Sequence, residues 1–146
     1  MRWLGAALFL GFCLVADSCS PGSAPPAGRW QGAYQANDTM VLARLEIDAR
    51  GGIYLSAPDA TDIPASADRT AIRARLSDEL DTEWGSVTPR QLEFDGEVFR
   101  KPGGVAPQLA WDRATRLMTA YVYLGMKPAI HVPLKPVAAF GGDPWR

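Results

Sequence analysis

The chain carries one histidine, His131, and two cysteines, Cys13 and Cys19, among 146 residues. That inventory excludes a metal site built from several histidines, and any Ser-His-Asp arrangement has to use His131. No Gly-x-Ser-x-Gly elbow is present to carry a nucleophilic serine. Ile130, Val132 and Leu134 alternate to the side of a strand opposite His131, which predicts a solvated surface or rim imidazole. The densest acidic run, Asp78, Glu79, Asp81 and Glu83, lacks the glycine turn and alternating oxygens of a calcium loop and reads as the wet face of a helix. Gly51-Gly52 and Gly103-Gly104 precede no helix and read as hairpin turns, not phosphate loops. The expectation is a non-catalytic protein with no cofactor and no metal. What remains is an aromatic stock. Trp30, Tyr34, Trp111, Tyr121 and Tyr123 are the candidate lining of a ligand site, with core packing as the alternative fate of each.

The elements that must position these residues read mostly as strands. From Thr39 to Ala49, Val41, Ala43, Leu45, Ile47 and Ala49 share one face while Arg44, Glu46 and Asp48 share the other, the period of a half-buried strand. Gly51-Gly52 turns this strand into Ile53–Ala57, a hairpin, and the prolines and aspartates of Pro58–Pro64 predict a loop. A second hairpin is expected from Gln91–Phe94 and Glu97–Arg100 around an Asp95-Gly96 turn. A meander follows through Gln108–Trp111, Leu117–Gly125 and Ala129–Val137. Pro133 lacks a ladder donor, which places that last strand at an edge. One segment has a different period: Ile72, Leu76, Leu80 and Trp84 recur every four residues, a helix near residues 68–84 capped by Asp68 or Ser66. Ile72, Ala74 and Leu76 also alternate as a strand would. The expected class is mainly β (α+β): an antiparallel up-and-down sheet, or a short or open barrel, of about 7–8 strands and one helix.

The N-terminus reads as an export signal. Arg2 supplies a positive charge, Trp3–Val15 is apolar, and Ala16-Asp17-Ser18 offers small residues before Cys19. The apolar run rises only about 20 Å as a helix, against a hydrocarbon core of roughly 30 Å, so residues 1–18 are expected to be removed. Ordinary signal peptidase and lipoprotein processing both cut before Cys19. The stretch resembles the lipobox of bacterial lipoproteins, in which this cysteine becomes the lipidated N-terminus. Cys13 leaves with the signal, so Cys19 has no partner thiol in an oxidising compartment. Ser20 after the cysteine implies, on that resemblance, a periplasm-facing protein on the outer membrane; the alternative is a secreted or soluble periplasmic one. Residues 19–28 are expected to be a Pro/Gly/Ser tether and 29–146 one globular β domain. A formal net charge of −1 argues against a nucleic-acid partner.

Gly28-Arg29-Trp30 opens the first strand of this domain. The Gly-x-Trp motif resembles the opening motif of lipocalins and their calycin relatives. The resemblance implies an up-and-down barrel whose Trp30 closes one end, with a basic residue near the last strand, Lys135 or Arg146, stacked over it. Three functions are expected to compete: a membrane-tethered interaction module of the envelope, a carrier of a small apolar ligand, and an inhibitor or immunity factor against an envelope-degrading enzyme. For the last, Pro58–Pro64 and Arg100–Val105 are the expected contact loops.

Overall fold

The computed structural model describes residues 23–146; the expected signal segment and Cys19 lie outside them. Among the described residues the chain is mainly β, nine antiparallel strands curled into a half-barrel with one helix. The strands are β1 (Gly28–Gln35), β2 (Met40–Ile47), β3 (Ile53–Ser56), β4 (Asp59–Ala60), β5 (Glu93–Phe94), β6 (Val98–Arg100), β7 (Pro107–Asp112), β8 (Leu117–Val122) and β9 (Ile130–Val137). The helix α1 (Arg69–Trp84) falls between β4 and β5. In space the order is β3-β2-β1-β9-β8-β7-β6-β5, so the last strand returns to the first and the sheet is open between β3 and β5. One bridge spans that seam, the Arg90 amide donating to the Ile53 carbonyl at 2.7 Å. No helix among the described residues is long and apolar enough to cross a membrane.

The strand period of β2 builds two cores rather than one. Val41, Ala43, Leu45 and Ile47 face the concave side with Trp30, Leu55, Leu109, Met118, Val132 and Leu134. Met40 and Leu42 share the outer face with Arg44, and there they are buried under Leu76 and Leu80 of α1 together with Ala60 and Ile63. The expected inner face of β2 is therefore present. Its outer face is half apolar because a helix covers it. Asp68 caps α1 by accepting from the Thr70 and Ala71 amides, an arrangement worth about 1 kcal/mol. The C-terminal segment completes this second layer: the Phe140 ring stands edge-on to Trp84 at 5.0 Å, and Trp145 packs on the outer core.

Several local expectations shift. The Pro58–Pro64 loop contains β4, which continues β3 along β2 in unbroken register, Ser56 opposite Arg44 and Asp59 opposite Val41. Pro58 only interrupts the ladder, and its carbonyl still accepts from the Leu42 amide at 3.1 Å. The second hairpin is shorter than its sequence suggests, and its tip is Gly96-Glu97, because the Asp95 amide pairs with the Val98 carbonyl. Ahead of β1, Pro25 is buried while Ser23, Ala24, Pro26 and Ala27 are exposed.

Strand β9 sits between β8 and β1, not at the edge that Pro133 suggests. Alternate residues of an antiparallel strand bond to opposite neighbours, and the direction of each proline nitrogen explains the difference. Pro133 turns its backbone to β1, where a Cβ on Gly32 would come within 2.0 Å of its carbonyl oxygen. Only glycine fits there. The β1–β9 ladder pairs Arg29–Gln31 with Lys135–Val137 and has ended before Pro133 is reached. By the same alternation Pro136 faces β8, whose ladder stops at Met118 opposite Leu134. Neither missing donor falls inside a ladder.

Candidate functional site

The end of the half-barrel where β1 begins is closed. Trp30 is buried, its indole edge-on to Trp111 with ring centroids 6.1 Å apart. Gly28 lies against it: a Cβ there would meet the Trp30 Cη2 at 3.0 Å. Trp30 Nε1 donates to the Arg116 carbonyl at 3.3 Å, and Arg116 adopts a left-handed φ of 59° in the β7–β8 turn. The expected cation over the ring is absent among the described residues. Lys135 is exposed on the outer face of β9, because it alternates with the inward Leu134, and Arg146 pairs with Asp143 at 3.0 Å. A backbone carbonyl takes the place of the basic side chain.

Each of the three turns at this end is pinned by an aspartate. Asp48 accepts from the Arg50 and Gly52 amides, Asp95 from those of Glu97 and Val98, and Asp112 from those of Ala114 and Thr115. Hydrogen bonds to a carboxylate favour its charged form. The amides of Val98 and Glu97, with the Arg100 side chain, hold Asp95 down at about 2. The Gly52 and Arg50 amides lower Asp48, and the Thr115 side chain and amide lower Asp112.

The opposite end is open. A notch of about 640 Å³ separates the edge of β3 and β4, at Leu55, Ala57 and Asp59, from the Lys101–Ala106 loop. Val122 and Leu124 at the end of β8 line it further. Arg90 reaches across the seam and donates from Nη2 to the Leu55 carbonyl at 3.2 Å, while Lys101 borders the other side. Val105, Tyr123 and Met126, the large apolar side chains most exposed to water, stand on the two loops at this end. Asp59 is the acid of the notch. Burial first, then the nearby Glu79, pushes its carboxyl above the ordinary range.

The five aromatic residues expected to line one site divide among several places. Trp30 and Trp111 seal the closed end, and Tyr34 packs half-buried on the inner core. Tyr121 meets His131 edge-on at 4.5 Å and also borders the notch. Tyr123, beside it, donates its hydroxyl to the Pro107 carbonyl. His131 is exposed, as its alternation with Val132 and Leu134 implies. Of the acidic run, Glu79 pairs with Arg75 at 2.7 Å, Asp81 pairs with Arg44 at 2.9 Å, and Glu83 accepts from Ser56. No group of three metal-ligating side chains occurs among the described residues.

Sequence reasoning missed two features. Arg44 lies under α1 and the C-terminal segment, its guanidinium 5.5 Å from the Trp84 ring and 4.7 Å from that of Phe140. The strand pattern places it correctly on the outer face, but nothing local tells that the face is roofed. The notch was equally hidden, since its walls come from β3, β4, β8 and a distant loop; only the Lys101-Pro102-Gly103-Gly104 composition signals a loop there. Comparison with protein-family models, curated proteins and solved structures finds no match to this chain.

Proposed function

We propose that the chain is a non-catalytic interaction module of the bacterial envelope, tethered to a membrane through lipidated Cys19 and meeting its partner with the open end of the β domain. The observation that carries this reading is that the exposed Val105 and Tyr123 line the notch with Arg90 and Lys101, while the exposed Met126 stands on the loop that follows Tyr123 at the same end. Exposed apolar side chains collected in one patch mark contact surfaces, whereas single scattered ones do not. The patch lies at the end of β1 remote from Gly28, on the order of 25 Å from where the chain enters the strand, so a tether at the N-terminus leaves it unobstructed.

A second reading, a lipocalin-like carrier of a small apolar ligand, draws support from the Gly28–Trp30 contact and from the strand order in which β9 returns to β1. The first is favoured because Met118, Leu134, Leu109 and Leu45 fill the concave face that a carrier would keep for its ligand. An in-cell test separates them. A photoreactive residue at position 105 or 126 should give a discrete protein adduct, and one at the exposed Arg113 of the closed end should not. Identical patterns from all three positions would sink the reading. Labelling with a palmitate analogue should mark the wild type and spare Cys19→Ala; equal labelling of both removes the tether.

A further inference from the structure

The edge formed by β3 and β4 is left without a partner strand on the side away from β2. In the register with β2, the carbonyls of Ile53 and Leu55 point away from β2, since Arg90 bonds both. Alternation then turns the backbone of Ala57 and Asp59 the same way, into the notch. The proline of this edge does not blunt it. Pro58 has its carbonyl bonded to Leu42 of β2, so its nitrogen also faces β2 and removes nothing from the open side. The exposed stretch from Leu55 to Asp59 is on the order of 16 Å long.

We infer that this notch receives an extended peptide as an added strand along Leu55–Asp59, with a carboxylate of the peptide held between Arg90 and Lys101. Unpaired edge groups offer main-chain hydrogen bonds to any extended chain, and the flanking side chains choose among chains. Arg90 spends one nitrogen on the Leu55 carbonyl and keeps further donors for an acid. Lys101 adds a second cation from the facing loop, and Val105 and Leu124 offer apolar contact to alternate side chains. Asp59, at the far end of the stretch, repels an acid there and so fixes which end of the peptide carries it.

The inference rests on the interaction-module reading and is tested separately from it. A phage-displayed library of random heptapeptides is selected against the full chain in nanodiscs. Enriched peptides should carry Asp or Glu among alternating apolar residues. Their binding should weaken at least tenfold with Lys101→Glu, with Ala57→Pro, which removes an edge donor and leaves the β2 ladder intact, and on N-methylation of alternate peptide amides. Both variants should keep the wild-type unfolding midpoint. The inference is overturned by no enrichment over the Lys101→Glu protein, by binding indifferent to N-methylation, or by a notch that takes oleate and no peptide. If peptides fail while crosslinks at positions 105 and 126 persist in cells, the edge-strand inference alone falls.

Discussion

At the end where β1 begins, Trp30 is buried against Trp111 and roofed by a turn; at the end where β1 finishes, Val105, Tyr123 and Met126 stand in water. The same strands build both ends, so the contrast comes from the connections. Three aspartates pin the turns of the closed end through their amides. No aspartate pins the two loops that border the notch: the Gly104 amide donates to the Lys101 carbonyl, Arg100 Nε to the Val105 carbonyl, and the Lys127 amide to the Leu124 carbonyl at 3.4 Å.

The sharpest way to break this comparison is to empty the closed end. Trp30→Ala should cost about 3–5 kcal/mol in urea unfolding, the usual consequence of removing a large buried aromatic side chain. A loss below about 1 kcal/mol would mean that Trp30 closes nothing.

Acid should loosen the closed end selectively. Asp48, Asp95 and Asp112 have folded pKa values below their ordinary ones, so the stability they contribute is present above pH 4 and is lost as pH falls through the folded values, for Asp95 about 2. The amides of Gly52, Val98 and Thr115 should each shift with its carboxylate as an NMR titration is carried down from about pH 4. The amide of Leu124, on the other loop of the open end, should not follow. Asp95→Asn should remove the Val98 transition and keep the other two, and a titration of all four amides at one midpoint would erase the difference between the ends.

Substitution at the open end should do the reverse of Trp30→Ala. Val105→Ser and Met126→Ser should each change stability by less than about 0.5 kcal/mol while abolishing adducts from a crosslinker at the neighbouring position. The smallest effect concerns Lys135. Because it lies on the outer face, its removal should couple to Trp30→Phe by no more than about 0.3 kcal/mol in a double-mutant cycle.

Much of this architecture is legible in local pattern. The period of Val41 to Ile47, the four-residue spacing of Ile72 to Trp84 and the Asp68 cap correspond to β2 and α1 as folded. The packing of Trp30 against Gly28 is not carried by periodicity. What was not legible is set by distant partners. Arg44 reads as a solvated residue until Trp84 and Phe140 are brought over it. Pro133 reads as an edge marker because a sequence does not say on which side each ladder ends. The notch exists because β3 meets the chain ahead of β5 only at the Ile53–Arg90 bridge, a relation that no window of a dozen residues contains.

The pairing of β1 with β9 has a consequence for the order of events during folding. It joins Arg29 to Val137, so the sheet closes between its first and last strands and the outer core waits for Trp145 near the C-terminus. Contacts of such long sequence separation form late, because the loop entropy is lost before the contact rewards it. A chain still emerging from the ribosome therefore has no complete core to lock. For a protein proposed to be an envelope module, and so to be exported, that delay keeps the polypeptide threadable until β9 has been made.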